Sequence, residues 1–460
     1  MNNGEMNRST GPENNEKVKR VQRNALPKRK MIVQKVGGVD RPFLICVILL
    51  LCMGTLMVFS SSYPYAKENF GDSYRFAKMQ VLFAIAGVFV MSVIIKFVDY
   101  HFIRRFTIPI FVVGILMLVA VLVVGNGVKG AVRWIQVGPI TIQPSEIMKF
   151  AVVLLFADYA DRYSHNFNRP DRILQNLPRI LGTLALLALG GVSLLLIPST
   201  ALGIIFLLVF VGIAGAVIIP INVKRELPGF YYGVLPYVAV LGVIGVLMYL
   251  QPHLSGLIII AGIIFCMMVI GGTKAGYLLT GIFSGVGAVI VLALSMSHSS
   301  GRLRVWKDPF AYLLDGGWQP AQSLYAIGSG GLFGVGFGNS RQKHLYLPEP
   351  QNDYIFSIWC EEMGFIGALF LICVFIFFIY RGIVIGLRAP DRFSSMLVIG
   401  IIMHVGLQVI LNIAVVTNTL PSTGISLPFF SYGGTSLMIL LAEMGVVLSV
   451  SRMSRIEKTA

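Results

Sequence analysis

Twelve apolar runs of membrane-spanning length divide the chain, at about 43–62, 76–98, 106–125, 145–160, 179–197, 200–219, 229–250, 254–271, 277–297, 354–380, 393–416 and 427–451. A helix needs roughly 20 mostly apolar residues to cross the hydrocarbon core of a bilayer. The pattern therefore predicts an all-α polytopic membrane protein, a helical bundle of about 10–12 transmembrane helices. The lower bound allows for the short run at 145–160 and for Pro198 and Pro252, each of which fits a kink inside one longer helix as well as a break between two. Polar sequence frames this region. Residues 1–42 carry ten Lys/Arg against four Asp/Glu and predict a disordered basic tail, residues 453–460 predict a short C-terminal tail, and 43–452 remain as the membrane domain. The first apolar run begins at Phe43, too far in for a signal peptide.

Composition agrees with the pattern: 56% of residues are hydrophobic, 13% charged, and the mean hydropathy is +0.78. A soluble domain carries about 25% charge, so a bilayer is the expected solvent. The net charge of +16 would suggest a nucleic-acid partner in a soluble protein. Here the basic residues sit in short segments between spans, and that reading is excluded. Arg104, Arg105, Arg162, Arg169, Arg172, Lys224, Arg225, Lys274, Arg381, Arg388, Arg392, Arg452 and Arg455 all fall on one side when the spans alternate. By the positive-inside rule that side is cytoplasmic, and both termini are expected there. The five cysteines lie in or beside apolar runs, which predicts neither a disulfide nor a metal site.

The opposite, extracytoplasmic side then holds three informative segments, 125–146, 298–353 and 417–434. The middle one is a large loop of 56 residues, and its Trp306, Phe310, Tyr312, Trp318, Tyr325, Phe333 and Tyr346 are too many aromatics for a solvated linker. It is expected to fold as a cap over a membrane cavity. In the first segment, Pro144-Ser145-Glu146 suits a helix start. Glu146 and Lys149 are three apart and share a face, an ionisable pair at membrane depth that is either functional or a structural anchor. Arg133 beside Trp134 places a cation where a lipid phosphate would lie, though an interfacial anchor explains it equally well. In the large loop, Arg302, Arg304, Arg341 and Lys343 are candidate phosphate clamps. Asp308, Asp315, Glu349 and Asp353 are the carboxylates available as a general base. The glycines of 328–338 would leave backbone N–H groups free to bind an anion. The third segment, with two prolines, three glycines and Ser431, is expected to line the same cavity. His253, His298, His344 and His404 are too scattered for a metal cluster and read as packed or polar surface residues.

In order along the chain stand Arg133-Trp134-Ile, Gln143-Pro144-Ser145-Glu146 with Lys149, Gln322-Ser323-Leu324, Gly-Leu-Phe-Gly-Val-Gly, Ser340-Arg341-Gln342-Lys343, Tyr-Leu-Pro-Glu349-Pro with Asp353-Tyr-Ile-Phe, Glu361-Glu362-Met-Gly364 and Ser431-Tyr432-Gly433-Gly434. Together they resemble the SEDS family of bacterial shape, elongation, division and sporulation proteins over about residues 40–452. The Arg-Gln-Lys form is nearer to its FtsW and SpoVE members than to RodA. The resemblance implies a peptidoglycan glycosyltransferase that polymerises lipid II at the outer face of the cytoplasmic membrane. It also implies a monofunctional class B penicillin-binding transpeptidase as partner, with other proteins of the division machinery. A carboxylate would take the proton of the attacking 4-hydroxyl, and cations would neutralise the departing undecaprenyl diphosphate. A divalent cation such as Mg²⁺ on the diphosphate is left open.

Three departures from the family stand out. Residues 179–219 look like an inserted helical hairpin. His253 in Gln251-Pro252-His253-Leu254-Ser255 occupies the place of a family Asp. The family's catalytic Asp-Pro, aligned without gaps from Gln319, falls on Tyr312, which leaves Asp308, Asp315 or no equivalent as the base. A lipid II flippase and a non-catalytic transpeptidase scaffold are the alternative functions. A large extracytoplasmic cap without an inner counterpart argues against the flippase.

Overall fold

A computed structural model of the chain describes residues 33–36, 38–124, 126–128, 131–138, 140–167, 229–279 and 304–458. Strand β1 (Val33–Val36) precedes α1 (Arg41–Phe70), α2 (Arg75–Phe97), the short α3 (Tyr100–Arg105) and α4 (Thr107–Val124). Strands β2 (Asn126–Val128), β3 (Ala131–Val137) and β4 (Ile140–Ile142) lead into α5 (Pro144–Tyr163). Then follow α6 (Gly229–Gly233), α7 (Leu235–Leu250), α8 (Leu254–Gly271), α9 (Trp318–Ser329), α10 (Ile355–Leu387), α11 (Arg392–Val416), α12 (Gly434–Met453) and β5 (Arg455–Lys458).

Among the described residues, eight helical stretches are long and apolar enough to cross a membrane: α1, α2, α4, α6 with α7, α8, α10, α11 and α12. Helix α5 has 20 residues but fails on apolarity, because Glu146, Lys149, Asp158, Asp161 and Arg162 lie along it. It is nonetheless buried over most of its length, so neighbouring helices rather than lipid receive those charges. The runs expected at 179–197, 200–219 and 277–297, the inserted hairpin among them, lie outside the described residues.

One correction concerns the last run: its helix does not begin at 427, residues 417–433 are irregular, and α12 starts at Gly434. Phe429 adopts a φ of 67°, in the left-handed region through which a right-handed helix cannot continue. Ahead of α1, β1 pairs antiparallel with β5 in the register Val33↔Lys458 to Val36↔Arg455. The 125–146 segment folds as a three-stranded antiparallel sheet, β2–β3–β4, whose backbone groups bond to one another and so need no helix.

Helix α11 packs against α5, α8 and α10, and α12 packs along α2. The irregular segment before α12 presses on α1 at Gly54, where a Cβ would collide with the Phe429 carbonyl. Helix α10 is interrupted at Gly364 (φ 68°, ψ −169°), and the glycine-rich loop docks into the gap. The N–H groups of Val335 and Gly336 donate to the carbonyls of Glu361 and Glu362, each at 3.0 Å. Those of Phe365 and Ile366 donate to Gly331 (2.9 Å) and Leu332 (3.1 Å). Expected to be open to an anion, the N–H groups of Val335 and Gly336 are instead spent on mending a broken helix.

Candidate functional site

Lys149, on the second turn of α5, is 2% exposed, and a buried ammonium needs a counter-charge and acceptors. It finds Glu146 Oε2 at 2.7 Å, on the same face one turn earlier, and donates to Gln408 Oε1 of α11 at 2.9 Å. Gln408 in turn donates to the carbonyl and hydroxyl of Ser426, at 3.0 and 2.9 Å. The pair expected from i, i+3 spacing is thus tied to the irregular 417–433 segment.

Two cavities meet at this pair. One is walled by Gln143, Ser145, Glu146, Lys149, His253, Gly424 and Ser426 among others. The other, somewhat larger, is walled by Glu146, His404, Gln408, Ser426, Ser431, Tyr432 and Glu443 among others. Glu146 and Ser426 belong to both. The expectation that the third irregular segment lines a cavity therefore matches the geometry, Ser431 included; its hydroxyl accepts from the Leu427 N–H at 2.7 Å.

Asp353 lines neither cavity but stands behind Gly424 of the smaller one. A Cβ placed on the cavity-lining Gly424 would stand 3.4 Å from Asp353 Oδ2. Asn412 locks this placement by donating to the carbonyls of both Asp353 (2.8 Å) and Ile425 (2.6 Å). Arg133 donates to the Pro252 carbonyl beside His253. Burial first, and then the charges of Arg133 and Lys149, push the His253 imidazole down to about 3, so it is neutral at physiological pH. Where the family carries an anion, this wall of the cavity carries none.

The large loop distributes its charged residues differently from the expectation. Asp308 is exposed, and its Oδ1 accepts from the N–H groups of Phe310 and Ala311 at 3.0 and 3.1 Å, closing a turn. It lines neither cavity. The backbone of Asp315 ends a single helical turn, while its side chain and all of Arg302 lie outside the description. Arg304 is exposed on a helical turn at 304–307, and Arg341 is exposed with its N–H on Glu361 Oε1 at 2.8 Å. Glu349 accepts from Asn352 Nδ2 at 3.0 Å.

Lys343 requires a correction. Expected as a phosphate clamp, it is 1% exposed, and its ammonium donates to Glu362 Oε1 (2.8 Å), the Gly338 carbonyl (2.6 Å) and Ser60 Oγ (3.2 Å). All three protons are used inside the protein, and none remains for a ligand. Glu361 likewise holds the Ser340 hydroxyl at 2.5 Å and two backbone N–H groups. The Ser-Arg-Gln-Lys and Glu-Glu motifs are thus two halves of one internal clamp. The sequence reading missed Gln408, Ser426, His404 and Glu443, which reach the cavity from helices and loops far apart in the chain. Their one local signal was polarity inside apolar runs.

A helical membrane protein of many spans, with ionisable side chains converging on a cavity at one end of its bundle, is the class these observations define. Within that class the chain belongs to the cell cycle protein family of FtsW, RodA and SpoVE, the SEDS proteins, whose model matches residues 40–223 and 213–456. It is 36% identical to stage V sporulation protein E of Bacillus subtilis, over 90% of this chain and 98% of that protein. It is 31% identical to a probable peptidoglycan glycosyltransferase FtsW of a Geobacter species, over 92% and 99%. In fold it is similar to a chain of a peptidoglycan synthase complex (TM-score 0.62, 24% identity, 90% and 98% covered). It also resembles the rod shape determining protein RodA of Thermus thermophilus (0.56, 22%, 90% and 97%).

Proposed function

We propose that this protein is a peptidoglycan glycosyltransferase of cell division or sporulation. It polymerises lipid II at the outer face of the cytoplasmic membrane, with both termini inside. The observation that carries the reading is the Glu146–Lys149 pair, buried at membrane depth at the junction of two cavities with Asp353 beside one of them. A bilayer excludes such charges unless a task retains them, and full-length relatives named as glycosyltransferases support that task.

In the reaction, the 4-hydroxyl of one lipid II's N-acetylglucosamine attacks the anomeric carbon of the other's N-acetylmuramic acid. The configuration inverts, and undecaprenyl diphosphate leaves. We assign the base to Asp353 rather than to Asp308 or Asp315. Asp353 is held against the cavity wall, whereas Asp308 is committed to its own turn and the Asp315 side chain is undescribed. Lys149 and Arg133, with the exposed Arg341 of the large loop, supply positive charge as the diphosphate departs; Glu146 holds Lys149 in place. The fold shared with a chain of a peptidoglycan synthase complex supports a class B transpeptidase as working partner, with other division proteins around it.

The test is polymerisation of lipid II by the purified full-length chain, alone and with its transpeptidase. Asp353→Asn is expected to lower strand formation by at least about 10²-fold, the contribution of a general base. Asp308→Asn should stay within about threefold of wild type. Glycan strands resolved on a gel check this, and a loss in Asp308→Asn with Asp353→Asn near wild type would return the base to Asp308.

A further inference from the structure

His404 of α11 and Glu443 of α12 take no part in the reaction above. His404 Nδ1 lies 3.5 Å from Glu443 Oε2, the residues are 4% and 2% exposed, and none of their four side-chain heteroatoms has a hydrogen-bond partner. Both line the cavity that Glu146 also lines. An isolated carboxylate in such a place is costly, and among the described residues the His404 ring is the one basic group in ion-pair contact with it. The separation is longer than a hydrogen bond but short for opposite charges.

The titratable and charged side chains on the walls of the joined cavities are Glu146 and Lys149 from α5, His253 before α8, His404, Tyr432 and Glu443. Lys149 is matched by Glu146 at 2.7 Å, and His253 is neutral. Glu443 is therefore the one carboxylate whose compensation depends wholly on His404. We propose that His404 is a positioning residue for substrate: a built-in counter-cation that cancels Glu443, so that the larger cavity accepts an anionic lipid diphosphate instead of repelling it. The proposal rests on the lipid II reading for the identity of the anion.

This arrangement predicts an asymmetry that a purely structural ion pair lacks. Removing the imidazole leaves a negative charge facing the diphosphate, whereas removing the carboxylate leaves nothing to repel it. The experiment measures lipid II binding to the full-length protein in lipid nanodiscs, with polymerisation followed in parallel. His404→Gln is expected to weaken binding by about tenfold, the size of one unscreened charge at short range in a partly polar interior. Glu443→Gln should bind as wild type or better, and the double variant should restore wild-type binding.

Equal weakening by the two single changes, or a double variant as poor as His404→Gln, overturns the proposal. If His404→Gln does not fold, the other two variants decide: wild-type binding by both supports the counter-cation, and weakened binding by the double overturns it. Wild-type protein that binds lipid II but makes no strands defeats the glycosyltransferase reading without touching this one.

Discussion

Among the described residues stand two buried Lys–Glu pairs of nearly equal length, and their surroundings differ in one decisive respect. Lys343 and Glu362 stand 2.8 Å apart, 1% and 0% exposed, with every ammonium proton and most carboxylate capacity taken up by Ser60, Gly338 and Ser340. Lys149 and Glu146 stand 2.7 Å apart, 2% and 15% exposed, and the carboxylate faces two cavities. Burial therefore does not by itself distinguish a structural ion pair from a chemical one. What distinguishes them is whether the remaining hydrogen-bonding capacity is closed off by protein or left toward a space that a ligand can enter.

The sealed pair offers the largest expected effect. Glu362→Ala strands the Lys343 ammonium in the interior and removes the acceptor of the Ser60 hydroxyl. A cost of about 3–5 kcal/mol is expected, as for other broken buried pairs. Thermal unfolding in detergent, read alongside membrane yield, checks it. A variant within about 1 kcal/mol of wild type would show that the pair is not sealed and would erase the contrast drawn above.

The open pair should behave in the opposite way. Glu146→Gln keeps a carbonyl acceptor for Lys149, and the cavity admits water to the rest, so stability should change by less than about 1 kcal/mol. Strand formation should nevertheless fall by about 10²-fold, because Lys149 loses the anion that orients it toward the departing diphosphate. Measuring unfolding and lipid II polymerisation on the same preparation separates the two effects. Loss of stability with unchanged activity per folded molecule would make Glu146–Lys149 a second anchor like Lys343–Glu362.

This contrast explains what the sequence revealed and what it hid. Spans were legible because a bilayer imposes a length and an apolarity that show in any window of about 20 residues. The Glu146–Lys149 pair was legible because both partners lie one turn apart on one helix. Lys343 was not, because its partner stands 19 residues on, in the first turns of α10 just ahead of the break at Gly364, and no local pattern links the two. The same holds for Val335 and Gly336 of the glycine-rich loop, since the carbonyls that take their N–H groups belong to α10. His404 was dismissed as a lone histidine and Glu443 passed over, because their pairing spans two helices. Asp353 was counted among the carboxylates but not favoured as base until the fold set it against Gly424.

A third carboxylate lies between the extremes and sharpens the comparison at low energy. Asp391 caps α11, accepting from the Ser394 N–H at 2.8 Å while Ser394 Oγ reaches back to its backbone, and it accepts from the Tyr100 hydroxyl at 2.5 Å. Partial burial pulls its pKa upward, but the hydrogen bonds from Tyr100 and Ser394 and the nearby His101 outweigh that, and the carboxyl titrates below its ordinary value. A folded-state pKa lowered in this way adds stability that is complete above the ordinary carboxylate range and vanishes as pH falls through the lowered value. Asp391→Ala should therefore cost about 1 kcal/mol at pH 7, typical of a lost helix cap, since solvent screens a group this exposed. The gap to wild type should close as pH drops below about 4. Unfolding temperatures of both proteins across pH 3–7 check this; a gap that persists undiminished at pH 3 would mean that Asp391 contributes by packing rather than by charge.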